Sequence, residues 1–126
     1  MSIMLREVRS NVMAGSAAAD AAVAVYPYTA KGTLVRAYIE NLSAVTANGS
    51  NNITVTATQN STTIFSRATT SDNLAANTCP EQTLGATMIG DKLEVSKGDV
   101  ILFAVANAGS GIAYELNVVL VYRLEN

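Results

Sequence analysis

Apolar and polar residues alternate with a period of two along most of the chain after residue 20, and this pattern predicts β-strands. The clearest case is ITVTATQ, residues 53–59, in which apolar side chains alternate with threonines. Similar patterns predict further strands at 22–28, 33–42, 62–68, 84–89, 100–107 and 112–124. Between them, Asn-Gly and Gly-Asp pairs favour turns. Residues 69–83 form the longest stretch without a strand pattern, and a surface loop is predicted there.

The alternation also predicts which side of each strand faces the core. The predicted inward residues are Ile53, Val55 and Ala57; Val35, Ala37, Ile39 and Asn41; Ile101, Phe103 and Val105; and the even-numbered residues from Tyr114 to Leu124. The last two strands are predicted to form a core hairpin across the glycine-rich loop 108–111. On their second face lies a small apolar patch, which is the predicted contact between subunits of an oligomer: Leu102, Val119 and Val121.

The first 20 residues lack this strand pattern, so a domain boundary is predicted after them. An N-terminal extended arm at 1–20 would precede a β-sandwich domain at 21–126. Two interpretations of the arm stay open, a frayed terminus and a segment that becomes ordered on a partner. In the second interpretation the predicted contact residues are Ile3, Leu5, Arg6, Val8, Arg9 and Val12. Removal of the arm is then expected to leave a folded sandwich that no longer binds its partner.

Composition narrows the class of protein. A chain of 126 residues fits one domain, and seven or eight short strands separated by turns predict an all-β antiparallel β-sandwich. Only 14% of residues are charged, the net charge is −2, and the basic residues are scattered, which argues against a nucleic-acid partner. No stretch approaches the roughly 20 apolar residues of a membrane helix. The mean hydropathy of +0.25 is high for a monomer and favours burial in an assembly.

Candidate chemistry is sparse. The chain has no histidine, which removes the commonest general base and the commonest zinc ligand. Its single cysteine, Cys79, has no histidine to activate it and no second cysteine with which to form a disulfide. Asp91, Glu94 and Asp99 lie close in sequence, but Gly-Asp pairs fit turns better than a calcium or hydrolase site. We therefore expect no enzyme activity, no catalytic residue, no metal and no cofactor.

The C-terminal third carries a family resemblance. The segments LEVSKGDVILFAV and ELNVVLVYRL are similar to the closing strands of jelly-roll sandwiches, which include sugar-binding modules and virion decoration proteins. This resemblance implies jelly-roll topology. With its short length, its strands rich in Ala, Thr, Asn and Ser, its apolar N-terminal segment and its thin charge, the whole chain resembles the capsid decoration (cement) proteins of tailed bacteriophages.

The resemblance to decoration proteins implies a function. It implies a structural virion protein, made in the host cytoplasm, that binds the major capsid protein on the outer capsid surface and stabilises the lattice. It also implies a homo-oligomer, with a homotrimer expected over a dimer, and neither a nucleic-acid nor a membrane partner. The alternative is a carbohydrate-binding or receptor-binding jelly-roll module of a phage fibre or tail, which would use tyrosines and the loop at 69–83.

Overall fold

The protein is described here by a computed structural model, which covers residues 4–16, 19–27 and 31–124. Nearly all of its regular structure is β-strand, with one short 3₁₀ helix at Gly90–Leu93. The strands are β1 (Leu5–Arg9), β2 (Met13–Gly15), β3 (Ala21–Val25), β4 (Gly32–Asn41), β5 (Asn52–Gln59), β6 (Thr62–Ala68), β7 (Glu81–Gln82), β8 (Glu94–Val95), β9 (Ile101–Ala108) and β10 (Tyr114–Leu124).

Two antiparallel sheets form a jelly-roll sandwich. Sheet 1 has the order β1-β10-β4-β7, with β2 also paired to β10 and β8 also paired to β4. Sheet 2 has the order β3-β9-β5-β6. The first strands pair with the last, β3 pairs with β9, β4 pairs with β7 and β8, and β5 pairs with β6, which is the nested pairing of a jelly roll. Since β1 and β2 share one position, as do β7 and β8, the sandwich has eight strand positions, and the predicted fold class is confirmed.

The core lies between the two sheets and is formed by the inward side of each strand. In β5 the inward residues are those that the threonine alternation predicts, and Ile53, Val55 and Ala57 are all fully buried. The bulkier set of β9 and the even-numbered residues of β10 as far as Tyr122 are buried as predicted: Ile101, Phe103, Val105, Tyr114, Leu116, Val118, Leu120 and Tyr122. Leu124, the last residue of β10, is only half-buried. Period-two alternation therefore identifies the core correctly in the three strands where it is unbroken.

Strand β4 departs from regular alternation through a β-bulge. Arg36 lies opposite Val121 and Leu34 lies opposite Tyr122, so one extra residue is inserted in β4 between the two pairs. That residue is Val35, which is 37% exposed, whereas Leu34 is 2% exposed. The prediction that Val35 faces the core is wrong, because the bulge reverses the alternation at this end of the strand.

The predicted hairpin of the last two strands is also wrong. Strand β9 lies between β3 and β5 in sheet 2, whereas β10 lies between β1 and β4 in sheet 1. The loop between them therefore crosses from one sheet to the other. Its glycine at 109 has a φ of 66°, and a Cβ atom there would lie 2.2 Å from the carbonyl oxygen of Ser50. Glycine is required at this position by both the backbone conformation and the close approach.

The strand predicted at residues 84–89 does not form. The Gly85 backbone N–H donates to the carbonyl oxygen of Ile64 at 2.6 Å, which places this segment beside β6 without a strand ladder. The backbone then turns through Gly90, whose φ is 58°, into the 3₁₀ helix and β8. Turn residues here outweigh the short apolar run. The Gly-Asp turn predicted at 98–99 lies at an observed turn, whereas the pair at 90–91 begins the 3₁₀ helix.

The N-terminal segment differs most from its prediction as an arm outside the sandwich. Strand β1 pairs with β10 over five residues, and β2 pairs with β10 over three. Met13 is 2% exposed, Val8 packs against the core, and the Ser10 hydroxyl accepts a hydrogen bond from the Val118 N–H at 2.9 Å. The segment is extended, as expected, but residues 5–15 complete sheet 1, because β10 otherwise has an open edge.

A buried asparagine holds the long loop at 69–83 against the sandwich. The side-chain amide of Asn41 donates to the carbonyl oxygens of Leu74 and Ala75 at 3.3 and 3.0 Å. The backbones of Asn41 and Thr78 exchange two further hydrogen bonds, at 2.8 and 3.2 Å. Leu74 is 1% exposed, so the loop contributes to the core although most of its residues are exposed.

A second buried polar contact joins the two sheets. The Tyr122 hydroxyl of sheet 1 donates to Gln59 Oε1 of sheet 2 at 2.9 Å. Gln59 Nε2 in turn donates to the carbonyl oxygens of Lys92 and Glu94, at the 3₁₀ helix and β8. Gln59 and Tyr122 are 4% and 1% exposed. Each polar atom of the Gln59 side chain therefore has a partner, as burial requires.

Because Tyr122 is buried, we expect the protein to lose stability at alkaline pH. Burial, with a smaller contribution from Asp99, raises the pKa of Tyr122 well above its ordinary value of 10.0. The unfolded chain releases this proton near pH 10, whereas the folded chain holds it to higher pH. The stabilisation is therefore complete below about pH 10 and is lost as the pH rises further.

We expect the free energy of unfolding to fall by up to about 1.4 kcal/mol per pH unit above about pH 10. The Tyr122→Phe variant should lack this component while keeping the contributions of all other groups. Urea unfolding of both proteins between about pH 8 and about pH 11 measures the difference. Equal slopes for the two proteins would show that Tyr122 does not cause the alkaline loss.

Candidate interaction surfaces

The predicted subunit contact does not form a single patch. Leu102 projects from the outer face of sheet 2, because its neighbours Ile101 and Phe103 face the core. Val119 and Val121 project from the outer face of sheet 1. The outer faces of a sandwich point in opposite directions, so these residues lie on opposite sides of the molecule. The two outer faces are therefore separate candidate surfaces.

Ion pairs cover the outer face of sheet 1, which we call the ion-paired face and define by the outward residues of β1, β10, β4 and β7. Arg9 contacts the carboxylates of Glu40 and Glu7, the latter at 3.0 Å. Glu40 also accepts a hydrogen bond from Asn117 Nδ2 at 2.7 Å. These carboxylates, Glu40 first, raise the pKa of Arg9. The pairs are partly exposed, so each contributes little to stability and is weakened by salt.

A shallow groove runs along the ion-paired face. Arg9, Tyr38 and Glu40 line one part of it, a space of about 170 Å³, with Val119 and Val121 as further lining residues. Val119 is 4% exposed, so it is already covered within a single subunit. Of the predicted subunit-contact residues on this face, only Val121, which is half-buried, remains partly accessible.

Cys79 borders the same groove and is exposed. Desolvation, followed by the nearby carboxylate of Glu40, raises the pKa of the Cys79 thiol. A raised pKa lowers the thiolate fraction at neutral pH, and the thiolate is the nucleophilic form. The surroundings of Cys79 therefore disfavour reaction at this sulfur.

The residues predicted to contact a capsid differ in whether they are free or already in contact with the sandwich. Leu5 and Val12 are 61% and 56% exposed, and Arg6 is also exposed. Val8 instead packs against the core, and Arg9 is held by its two glutamate partners. Ile3 lies outside the described residues. Leu5, Arg6 and Val12 remain available for contact with another protein.

The outer face of sheet 2, which we call the uncharged face, was not recognised from sequence. Among the described residues, no Asp, Glu, Lys or Arg occupies an outward position of its four strands. Its β3 and β9 half is apolar and includes Ala22, Ala24, Leu102, Ala104 and Ala106. Its β5 and β6 half carries hydroxyl groups, from Thr54, Thr56, Thr58, Thr63 and Ser66. The sequence feature that could have revealed this face is that the outward positions of 22–24, 54–58 and 102–106 are all uncharged.

A polar cleft of about 330 Å³ lies at one end of the sandwich, between the β5–β6 turn and residues 91–99. Several of its polar groups already serve turns. Asp99 accepts from the Ser96 N–H at 2.8 Å, and Asn60 Oδ1 accepts from the Val100 N–H at 2.9 Å. Within the part of the chain that the structure describes, no group of three or more His, Cys, Asp or Glu residues could hold a metal ion.

Over the same described ranges, no helix is long and apolar enough to cross a membrane. No family model and no curated protein matches this chain. Among solved structures, it is similar to a chain in the structure of infectious bursal disease virus, Gx strain, with a TM-score of 0.47 and 8% sequence identity. The similarity covers 97% of this chain and 32% of that chain, so this chain spans only part of the length of the viral one.

Proposed function

We propose that this protein is a structural virion component that binds the outer surface of a phage capsid as a homo-oligomer and stabilises the lattice. The observation that carries the proposal is the contrast between the two outer faces of one small jelly roll. One face bears ion pairs around a groove, and on the other no outward strand position that the structure describes is charged. A subunit with two such faces can contact two different protein surfaces at once. Jelly rolls serve as capsid and lectin domains, which is compatible with this role.

The mechanism in this proposal is binding rather than chemistry. An oligomer engages several capsid subunits together, so each further contact forms at a high effective concentration and modest contacts suffice. The ion-paired face offers the contact to the capsid, with Leu5 as an exposed apolar residue beside its groove. Arg36 and Glu81, 3.4 Å apart and largely exposed, can exchange partners when a charged surface docks.

Purified protein is expected to bind expanded capsids and to raise the temperature at which they disrupt. The Leu5→Asp variant should weaken capsid binding by about tenfold or more, because it places a charge in an apolar contact. Co-sedimentation with capsids, read by gel densitometry, gives the affinity. Leu42→Asp is the matched control, since Leu42 is 45% exposed and lies beside Glu115, at the other end of sheet 1 from Leu5. Wild-type protein that does not bind capsids would refute the proposal.

A carbohydrate-binding module of a phage fibre or tail is a second candidate, and the polar cleft favours it. Thr62, Asp91 and Lys92 line that cleft and offer donors and acceptors that a sugar could use. Its lining residues include no aromatic side chain, and the loop at 69–83 does not take part in it. A glycan array without a hit removes this candidate.

A further inference from the structure

We propose that the uncharged face is the surface on which a second copy of this chain docks, with the same face of each copy stacked on the other about a two-fold axis. The inference rests on the homo-oligomer of the proposed function and names its contact surface. It leaves the ion-paired face free for the capsid. A two-fold contact gives a dimer rather than the trimer that the family resemblance implies.

The lack of charged residues on the uncharged face favours a second copy of this chain as the partner that docks there. In a two-fold contact each patch meets itself, so charges near the axis meet like charges. On the ion-paired face, a two-fold axis through the Glu7–Arg9–Glu40 cluster would bring its two carboxylates and one guanidinium against the same groups of the other copy. The uncharged face carries no such penalty, because no outward position among its described residues is charged. It also offers no complementary charge to a charged partner surface.

The size and shape of the face suit such a contact. Four strands about 4.8 Å apart, with about seven residues of about 3.3 Å rise each, make a rectangle of about 19 by 23 Å. Side chains project from this plane and increase its surface area. Two stacked faces therefore bury on the order of 1,000 Å² in total, which is about the smallest area of a specific interface. Alanine and threonine dominate the face and differ little in height, so two copies can approach closely over its whole width.

The chemistry of the two halves places Leu102 in the apolar part of the interface. Leu102 is 39% exposed and lies opposite Ala24 in the ladder between β9 and β3. Burying this apolar half is favourable, since it removes apolar surface from water. In the other half, the hydroxyls of Thr54, Thr56 and Thr58 can rotate to donate to or accept from their counterparts, because each hydroxyl is both donor and acceptor.

The test compares two charge insertions at residues of nearly equal exposure, 39% for Leu102 and 37% for Val35. Leu102→Glu places a carboxylate on the uncharged face, and Val35→Glu, at 37% exposure, places one on sheet 1. Sedimentation velocity over a concentration series should show a wild-type dimer, a dissociation constant raised about a hundredfold or more by Leu102→Glu, and a change within about twofold for Val35→Glu. Thr56→Lys is a second insertion, for use if Leu102→Glu does not fold.

Binding of the same proteins to capsids separates this inference from the proposed function. A dimer that Leu102→Glu and Thr56→Lys leave intact would overturn the inference, and so would a wild-type monomer. If the insertions instead abolish capsid binding without changing the oligomer, the uncharged face contacts the capsid, and only the proposed function survives. A dimer that the insertions dissociate, from a protein that never binds capsids, supports the inference and refutes the proposed function.

Discussion

Removal of residues 1–15 is expected to leave no stably folded sandwich, which reverses the expectation for a detached arm. The deletion removes β1 and β2, which pair with β10 over eight residues in all. It also removes Met13 from the core and opens the whole edge of β10. The single change Met13→Ala should by itself lower the free energy of unfolding by about 2–5 kcal/mol, because the 2% exposed side chain leaves a cavity.

Urea unfolding followed by far-ultraviolet circular dichroism measures both changes. The control is Val12→Ala, at the neighbouring residue, which is 56% exposed and should change the free energy of unfolding by less than about 0.5 kcal/mol. A deletion protein that unfolds at the wild-type urea concentration would show that the N-terminal segment is an independent arm after all. A marginally stable domain cannot lose a core residue and an edge strand together without a large effect.

Replacement of Gln59 by leucine is expected to lower the free energy of unfolding by about 3 kcal/mol, more than the replacement of any other polar residue. Leucine fills a similar volume but leaves the buried Tyr122 hydroxyl and the part-buried carbonyl oxygens of Lys92 and Glu94 without the hydrogen bond to Gln59. A buried polar group that loses its partner costs its full desolvation penalty. The 3₁₀ helix at Gly90–Leu93 should also loosen, since Gln59 ties its last turn to sheet 2.

A double-mutant cycle with Tyr122→Phe separates these contributions. The phenylalanine removes the hydroxyl that Gln59→Leu leaves unpaired. The double variant should therefore lower the free energy of unfolding by less than the sum of the two single variants. Thr83→Val is the control, since the Thr83 side chain is exposed and lies outside the uncharged face, and this change should alter the free energy of unfolding by less than about 0.5 kcal/mol. A cost below about 1 kcal/mol for Gln59→Leu would mean that water replaces the lost contacts.

Regular alternation made the strands predictable, and local irregularities limited that prediction. Strand β6 begins and ends where its pattern predicted, and the inward residues of β5, β9 and β10 follow from side-chain period alone. In β4 a bulge at Val35, which only the pairing with β10 reveals, reversed the pattern. The N-terminal residues showed too short and uneven a pattern to be recognised as strands, and they are ordered through pairing with β10.

The candidate surfaces show where sequence information ends. In the strands with regular alternation, the sequence by itself determined which residues point outward, because successive side chains alternate between the two faces. It could not determine which outward residues share a surface. Leu102 and Val119 are close in the chain, yet they lie in different sheets. Leu102 is in β9, which pairs with β3 and β5, whereas Val119 is in β10, which pairs with β1 and β4. Only the tertiary structure decided this, because the strand partners that define each face are distant in sequence and are chosen by the packing of the whole jelly roll.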